Sequence, residues 1–593
     1  MIPELKDSLL GKVLTAEQLN SVADRSKTQS LPAGASFCEP EDVLDCLYVV
    51  LKGCLRASTG SKQSQRTSGF INSGEAVGAY CLLTGQPMLA TLEAEFDTRL
   101  LAIPKAVFDE IVEQSPDLII TIRRSFHERI ASVLQGKKLR RFARNVVFVL
   151  PDSSKCKIPI DVAAKLAKRG ERVAIVTEQN VDSEQLTRFP LDEKQQFFSK
   201  WQDTEVYDFD RFIFCLPHSF ARELVELMDR ANEILWCFHE HEGDATRAAI
   251  SRIQEKSPEN VSKIKRICLL SNQGTVAPAG ISDSRLHRRD FITPEDDTPQ
   301  SARMYRQGVD RITRHLCDIK IGLSLAGGGA RGLVHFGILQ ALDRAGISFD
   351  MLSGTSAGAM FGLSYATGET PEYLLQEYNN NLKPGFPFTI FRNSDRWYLL
   401  WKFRTRGWDR MLRSYFDYSF DQLPIPFYSV AVDLVSGKQV VRDSGDIIQA
   451  MLESLNLPGI AKPILRDGMA LVDGGVLNNL PTNVLLEHGA DFILGANVSS
   501  GLNEEFGKNR PHMKTQEMRS VGNIETLFRV LEVMGTGTAH AQRSAANILL
   551  TPDTSAFSFT DFTQGEGLAE IGEQCVDEAL PQIRSQIDAL MRF

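Results

Sequence analysis

A chain of 593 residues is too long for one hydrophobic core, and domains of roughly 100–200 residues make about three or four the expectation. With 43% hydrophobic and 24% charged residues it is ordinary globular protein, neither fibrous nor disordered. A formal net charge of −9 argues against a nucleic-acid binder, and ten cysteines without paired spacing argue against a disulfide framework or zinc ribbon and for a reducing compartment.

The first six residues, Met1-Ile2-Pro3-Glu4-Leu5-Lys6, are broken by charge and proline and lack a signal-peptide core. There is no uncharged apolar run of about 18 residues, so no transmembrane helix is expected. The expectation is a cytoplasmic protein that meets any lipid from the water side, peripherally. Residues 1–135 hold short alternating segments with glycine turns. Leu47-Tyr48-Val49-Val50-Leu51 before Gly53 reads as strand and turn, and 108–130 has helical spacing. This predicts a small β-roll followed by helices.

From 140 to 290 the pattern becomes α/β. Val146-Val147-Phe148-Val149-Leu150, Arg172-Val173-Ala174-Ile175-Val176, Phe212-Ile213-Phe214-Cys215-Leu216 and Ile267-Cys268-Leu269-Leu270 read as buried strands, and 160–169 as a helix. Such alternation predicts a parallel sheet. The segment after the first strand, 151–157, has no glycine and so cannot cradle a phosphate as a P-loop does. A structural or regulatory module is expected there. Residues 294–300 are acidic and proline-bearing and read as a linker.

The third region runs from 318 to 593. The strand Ile321-Gly322-Leu323-Ser324-Leu325-Ala326 leads into Gly327-Gly328-Gly329-Ala330-Arg331-Gly332 and then a helical pattern. Glycines between strand and helix expose consecutive N–H groups, which suits a phosphate or an oxyanion, although a tight turn alone would also need them. A second strand-turn-helix carries Gly354-Thr355-Ser356-Ala357-Gly358, the spacing of a nucleophile elbow. That motif alone is weak, with about 0.2 expected by chance in a chain this long, but the glycine cluster is expected only roughly 0.01 times. Both in order, each at a strand-to-helix turn, form a strong signal. A serine needs a base. None of His335, His488, His512 and His540 sits in a glycine-framed turn after a strand, whereas Asp473 does, in Asp473-Gly474-Gly475.

These residues carry a resemblance. Gly-Gly-Gly-Ala-Arg-Gly at 327–332, Gly-Thr-Ser-Ala-Gly at 354–358 and Asp-Gly-Gly at 473–475 resemble the signatures of patatin-like phospholipases. His335-Phe336-Gly337, Asn456-Leu457-Pro458-Gly459, Asp433 and Gly437 fit as well, with Lys462 a departure from the usual apolar residue. The resemblance implies a three-layer α/β/α fold and a Ser–Asp dyad with no catalytic histidine, metal or cofactor. Ser356 would be the nucleophile and Asp473 the base. An oxyanion hole would lie in Gly327, Gly328 and Gly329 with Arg331 beside it, and Gly332, Gly354, Gly358, Gly474 and Gly475 would shape the turns. Residues 31–56 resemble the opening strands of a cyclic-nucleotide-binding domain. A roll of that kind, a middle α/β segment and a patatin domain together resemble the neuropathy target esterase branch. That branch implies phospholipase or lysophospholipase activity and a phospholipid or lysophospholipid substrate.

The expected phosphate cassette of the roll spans 74–92. Its register places Ala79 and Met88 where nucleotide-binding members use glutamate and arginine. A buried phosphate left unpaired there costs several kcal/mol, so cyclic nucleotide is not expected as a ligand. Glu75 would serve the ribose under another register but would not replace the arginine. A further segment, 392–413, holds Trp397, Trp401 and Trp408 among seven basic residues, including Arg404, Arg406 and Arg410. Tryptophans beside basic residues suit a lipid headgroup boundary, and an ordinary helix with a buried aromatic stripe fits the same pattern. Lying between Ser356 and Asp473 in sequence, the segment is placed where a lid would be inserted. Three functions stay open: a lipid acyl hydrolase, an acyltransferase on the same dyad, and a non-catalytic sensor or scaffold.

Overall fold

A computed structural model describes Leu5; residues 8–122 apart from 33, 60–65, 96 and 97; 145–189 apart from 152–155, 180 and 182–184; 209–218; 231–256; 263–270; 291–298 apart from 296; and 301–591 apart from 384–400, 403–406 and 499–521. It divides into two compact units, residues 1–267 with 315–318, and residues 268–314 with 319–593.

The first unit opens with the expected β-roll. Its two antiparallel four-stranded sheets are ordered Lys27–Leu31, Thr98–Pro104, Cys46–Lys52, Ala76–Val77, and Ser36–Cys38, Thr91–Ala94, Cys54–Thr59, Arg66–Asn72. Strand periodicity sorts the apolar residues between two cores. Leu47, Val49 and Leu51 face a cluster with the helical residues Leu19, Val107 and Phe108, while Val50 points the other way to Leu55, Ile71 and Leu100. The helix after the roll is Lys105–Gln114; the rest of the helical reading, from 123 on, lies outside the described residues.

The same unit holds a parallel sheet in the order Leu186–Phe189, Val173–Val176, Arg211–Pro217, Asn145–Leu150, Glu233–His239. Helix Ile158–Lys168 matches the expected helical stretch. Arg211, fully buried, is paired with Glu171 at 2.7 Å and donates to the Leu316 carbonyl at 3.1 Å. Most of the glycine-free loop, 152–155, lies outside the described residues.

The second unit is built on an eight-stranded sheet. Its parallel core runs Phe427–Asp433, Met351–Thr355, Ile321–Leu325, Phe492–Ala496, Ile548–Leu550; Met469–Asp473, Ile464–Arg466 and Lys438–Arg442 join antiparallel at one side. Alternation along Ile321–Leu325 shows the layers. Gly322 faces Leu485 of helix Thr482–Glu487, and Leu325 faces Gly362 of helix Ala357–Ala366 on the other side. All ten residues of Ala357–Ala366 are buried, as a helix apolar all round must be. Helix Val334–Arg344 crosses the long helix Gly565–Met591 at glycines. A Cβ on Gly337 would collide with the Ala569 backbone, and one on Gly572 with the Val334 carbonyl. Helix Ala302–Leu316 follows the acidic stretch and is bound to this unit by Arg303–Asp343 at 2.5 Å and Arg314–Asp350 at 2.7 Å.

Candidate active site

Ser356 stands where strand Met351–Thr355 turns into helix Ala357–Ala366. Its φ of 53° and ψ of −122° form a backbone conformation that costs on the order of 1–3 kcal/mol and persists only when its surroundings enforce it. The flanking glycines permit the close approaches that this turn needs. A Cβ on Gly354 would lie 2.5 Å from the Gly358 carbonyl oxygen, and one on Gly358 would strike the Leu325 carbonyl. Gly332 lets the glycine loop approach this helix, since its Cβ would lie 2.6 Å from that of Ala357. The N–H of Ser356 is itself taken, donated to Ser454 Oγ at 2.8 Å.

Asp473 ends strand Met469–Asp473. Its Oδ1 accepts the Gly475 N–H at 2.7 Å, while Oδ2 is buried without a hydrogen-bond partner. Gly474 allows the turn to press on the Val430 carbonyl. Burial pushes the Asp473 carboxyl up to about 6, against the opposing effect of the nearby Ser356 hydroxyl and the Gly475 N–H. Such a group is ionised at neutral pH yet basic enough to accept a proton. Asp433 anchors this strand from the side by accepting the Ala470 N–H at 2.9 Å and closing the 434–436 turn. Those donors hold its carboxyl well below the ordinary range.

The glycine loop lies beside both. Gly327 exchanges two hydrogen bonds with Asn479, its N–H reaching the Asn479 carbonyl at 3.1 Å and its carbonyl accepting from Nδ2 at 3.0 Å. This corrects the expectation for Gly327: its N–H is engaged, and its role is to let the loop pass 2.9 Å (for an added Cβ) from the Ser356 Cβ. The N–H groups of Gly328 and Gly329 have no acceptor among the described residues, and Gly329 has a φ of 57°. The Arg331 side chain is committed as well. Its Nε donates to the Phe557 carbonyl at 2.8 Å and its Nη1 pairs with Glu532 at 3.1 Å.

Ser356, Asp473, Gly328 and Arg331 line one cavity, and the apolar part of its wall includes Leu457, Val498 and Phe559. Gly327, Gly475, Val476 and Asn479 line it as well, and a further wall is helix Asn523–Gln542, through Leu531, Glu532, Met534, Gly535 and Thr536. This helix rests on the base turn, with Thr538 Oγ1 donating to the Gly475 carbonyl at 3.3 Å. A cover was expected from 392–413. Of that segment, Trp397, Arg404 and Arg406 lie outside the described residues, and Trp401 is 44% exposed. Trp408 is buried against Phe562 with the Lys402 ammonium over its ring, so it does not face a membrane. Burial lowers Lys402 to about 8.

Among the described residues no histidine lines the cavity, His540 of helix Asn523–Gln542 included. His335 is fully buried, bonded through Nε2 to the Ala326 carbonyl at 2.8 Å, and burial lowers it to about 4. His488 is bonded to the Val484 carbonyl and lies against Tyr428; His512 lies outside the described residues. Sequence reading missed Ser454, Asn479 and Glu532. The Asn478-Asn479 pair just beyond the base turn is the one local signal that pointed to any of them.

Comparison with known proteins agrees with this architecture. Residues 323–486 match the patatin-like phospholipase family model, and residues 28–115 that of the cyclic nucleotide-binding domain. The chain is 23% identical to an NTE family protein of Mycobacterium tuberculosis, over 95% of this chain and 94% of that one. It is 24% identical to lysophospholipase NTE1 of Mycosarcoma maydis, over 80% of this chain and 29% of that protein. It is also 24% identical to human patatin-like phospholipase domain-containing protein 6, over 79% of this chain and 37% of that one. Against those two the chain spans about a third of the relative's length.

Proposed function

We propose that this chain, with its patatin-like domain, is a serine lipid acyl hydrolase that cleaves carboxylic esters of phospholipids or lysophospholipids through Ser356 and Asp473. The observation that carries this reading is a strained serine sharing a cavity with a buried carboxylate of raised proton affinity and with Gly328, whose N–H has no acceptor among the described residues.

The chemistry follows from these groups. The Ser356 hydroxyl passes its proton to Asp473 as Oγ attacks the ester carbonyl. The oxyanion accepts from the Gly328 and Gly329 N–H groups, which require no reorganisation. Collapse expels the alcohol, which takes the proton back from Asp473, and leaves an acyl-serine. Water, deprotonated by Asp473, then attacks the acyl carbonyl, and collapse expels Ser356 Oγ, which takes the proton back from Asp473, and releases the fatty acid. Relatives named lysophospholipase NTE1 and patatin-like phospholipase domain-containing protein 6 support the substrate class. The test is mass spectrometry of products from a mixed phospholipid and lysophospholipid panel, with Ser356→Ala as control. Fatty acid release absent from the control is expected; equal release by both would remove the nucleophile assignment.

Access to lipid is proposed to be peripheral. No described helix is long and apolar enough to cross a membrane. With Trp408 buried, the contact falls to Trp401 and the basic residues around it. Basic side chains near an anionic surface contribute on the order of 1 kcal/mol each, screened by salt. Changing Arg404, Arg406 and Arg410 to glutamine should weaken co-sedimentation with anionic vesicles several-fold and leave soluble-ester activity intact. Unchanged co-sedimentation would exclude this segment as the contact.

A further inference from the structure

We infer that Ser454 is a positioning residue of the dyad, a hydroxyl strut that holds the nucleophile elbow at its distance from the base. This rests on the reading of Ser356 and Asp473 given above, and it comes from a closed circuit of bonds in the fold. Strand Phe427–Asp433 lies between the two strands that carry the dyad. Thr355 pairs with Val430 on one side and Asp473 with Ala431 on the other. Ser454, fully buried near the end of helix Ile447–Leu455, donates its hydroxyl proton to the Val430 carbonyl at 2.6 Å. That fixes its lone pairs, one of which accepts the Ser356 N–H at 2.8 Å. Two residues on, the Asn456 carbonyl accepts the Asp473 N–H at 2.9 Å, and Asn456 Nδ2 donates to the Leu471 and Lys462 carbonyls. A three-residue span therefore grips the backbone of both nucleophile and base, and through Ser454 ties the nucleophile to the strand between them.

The strut has two effects. It gives the strained Ser356 a buried acceptor for its N–H, without which the elbow gains by relaxing away from φ 53°. It also withdraws that N–H from the oxyanion, which leaves the hole to Gly328 and Gly329. Ser454 does not line the cavity and touches no substrate, so its influence passes through Ser356.

The experiment measures kcat, KM, pH profile and the rate of covalent labelling by a fluorophosphonate for the full chain and its Ser454 variants. Misplacement of a reacting group by about an ångström costs roughly 100-fold. Ser454→Ala should therefore lower kcat and labelling by about 10- to 100-fold with KM nearly unchanged. The acid limb of the profile, set by Asp473, should stay in place. Arg331 and Glu532, the charged groups that share the cavity with it, pair with each other and are untouched. Ser454→Cys, with a weaker acceptor of similar size, should fall between, and it serves if the alanine variant does not fold. Near-wild-type kcat in the variant tested overturns the inference. So does an acid limb that moves down towards the ordinary carboxylate range, because that marks general loosening of the site. A wild-type chain that neither labels nor turns over ester overturns the hydrolase reading and the strut with it, whereas an active wild type with an indifferent Ser454 overturns the strut alone.

Discussion

The turn before Ala357 and the turn before Ala79 both lead a strand into a helix through a residue of positive φ, but with different backbone conformations: ψ is −122° at Ser356 and −17° at Gly78. In each, a strand ends, one residue takes a positive φ, and a helix starts. In the roll the residue is Gly78, at φ 95°, followed by helix Ala79–Thr84. In the second unit it is Ser356, at φ 53°. A Cβ on Gly78 would run into the Cys46 carbonyl, so the roll needs glycine for close packing. At the elbow a side chain is tolerated because the residues two positions away on each side, Gly354 and Gly358, are the ones that come close to backbone. What also separates the two is the surrounding chemistry. Ser356 shares a cavity with a buried carboxylate and with Gly328, whose N–H has no acceptor among the described residues. Ala79 is buried and apolar, Met88 packs against the core between the sheets, and the cassette from 74 to 92 contains no lysine or arginine. A shared strand-to-helix turn at positive φ does not imply a shared capacity to bind an anion.

The largest test of this contrast is at the dyad. Ser356→Ala and Asp473→Asn should each reduce ester turnover by on the order of 10⁴-fold or more, and the double variant should be little worse, because the two act as a unit. Additive losses measured in steady-state assays would mean the two residues work separately.

Next is pH. Because Asp473 must be ionised to accept the proton, kcat should fall about tenfold per unit as pH drops below about 6. The stability effect has the opposite sense. A folded-state affinity raised above the usual 3.8 favours folding below that value and is lost as pH rises through about 6. Asp473→Asn should then stabilise the chain at pH 8, by on the order of 3 kcal/mol at most, and not at pH 3.5. Denaturant melts at the two pH values check the sign.

Gly78→Ala should destabilise the roll by about 2 kcal/mol or more, read from its unfolding transition, while ester turnover stays within about twofold. A parallel loss of turnover would show that the first unit controls the second. The smallest expected effect is none at all: calorimetry with cyclic AMP or cyclic GMP at micromolar concentration should give no binding heat. A micromolar dissociation constant would show that some group other than those at positions 79 and 88 neutralises the phosphate.

The strand-to-helix turns at Ser356 and Asp473 were legible because their signal is local. A strand, a glycine-framed polar residue and a helix fit within ten residues, and the chemistry fixes which residue stands at the apex. The roll and both α/β sheets were legible for a similar reason, as periods of two and short apolar runs. The support of the site was not. Ser454 reaches Ser356 across 98 residues and Asn479 reaches Gly327 across 152, and no local period records such a pairing. The covering helix was missed because it follows the base in sequence, and its inner face is made of ordinary residues such as Leu531 and Thr536. Trp408 misled for the same physical reason. Tryptophan beside cations suits a lipid boundary, but also a cation stacked on a buried ring, and only the fold decides which.

The glycine-to-backbone crossing of helices Val334–Arg344 and Gly565–Met591 has a consequence for the order of synthesis. The helix that carries the glycine loop finds its packing partner roughly 230 residues later, so a growing chain exposes Ser356 long before its oxyanion donors can be fixed. Nascent polypeptide would thus remain chemically silent until the last helix emerges, which spares nearby lipid from an unfinished enzyme. Stalled chains ending before Gly565 should take up no fluorophosphonate, and labelling should appear only once the crossing can form.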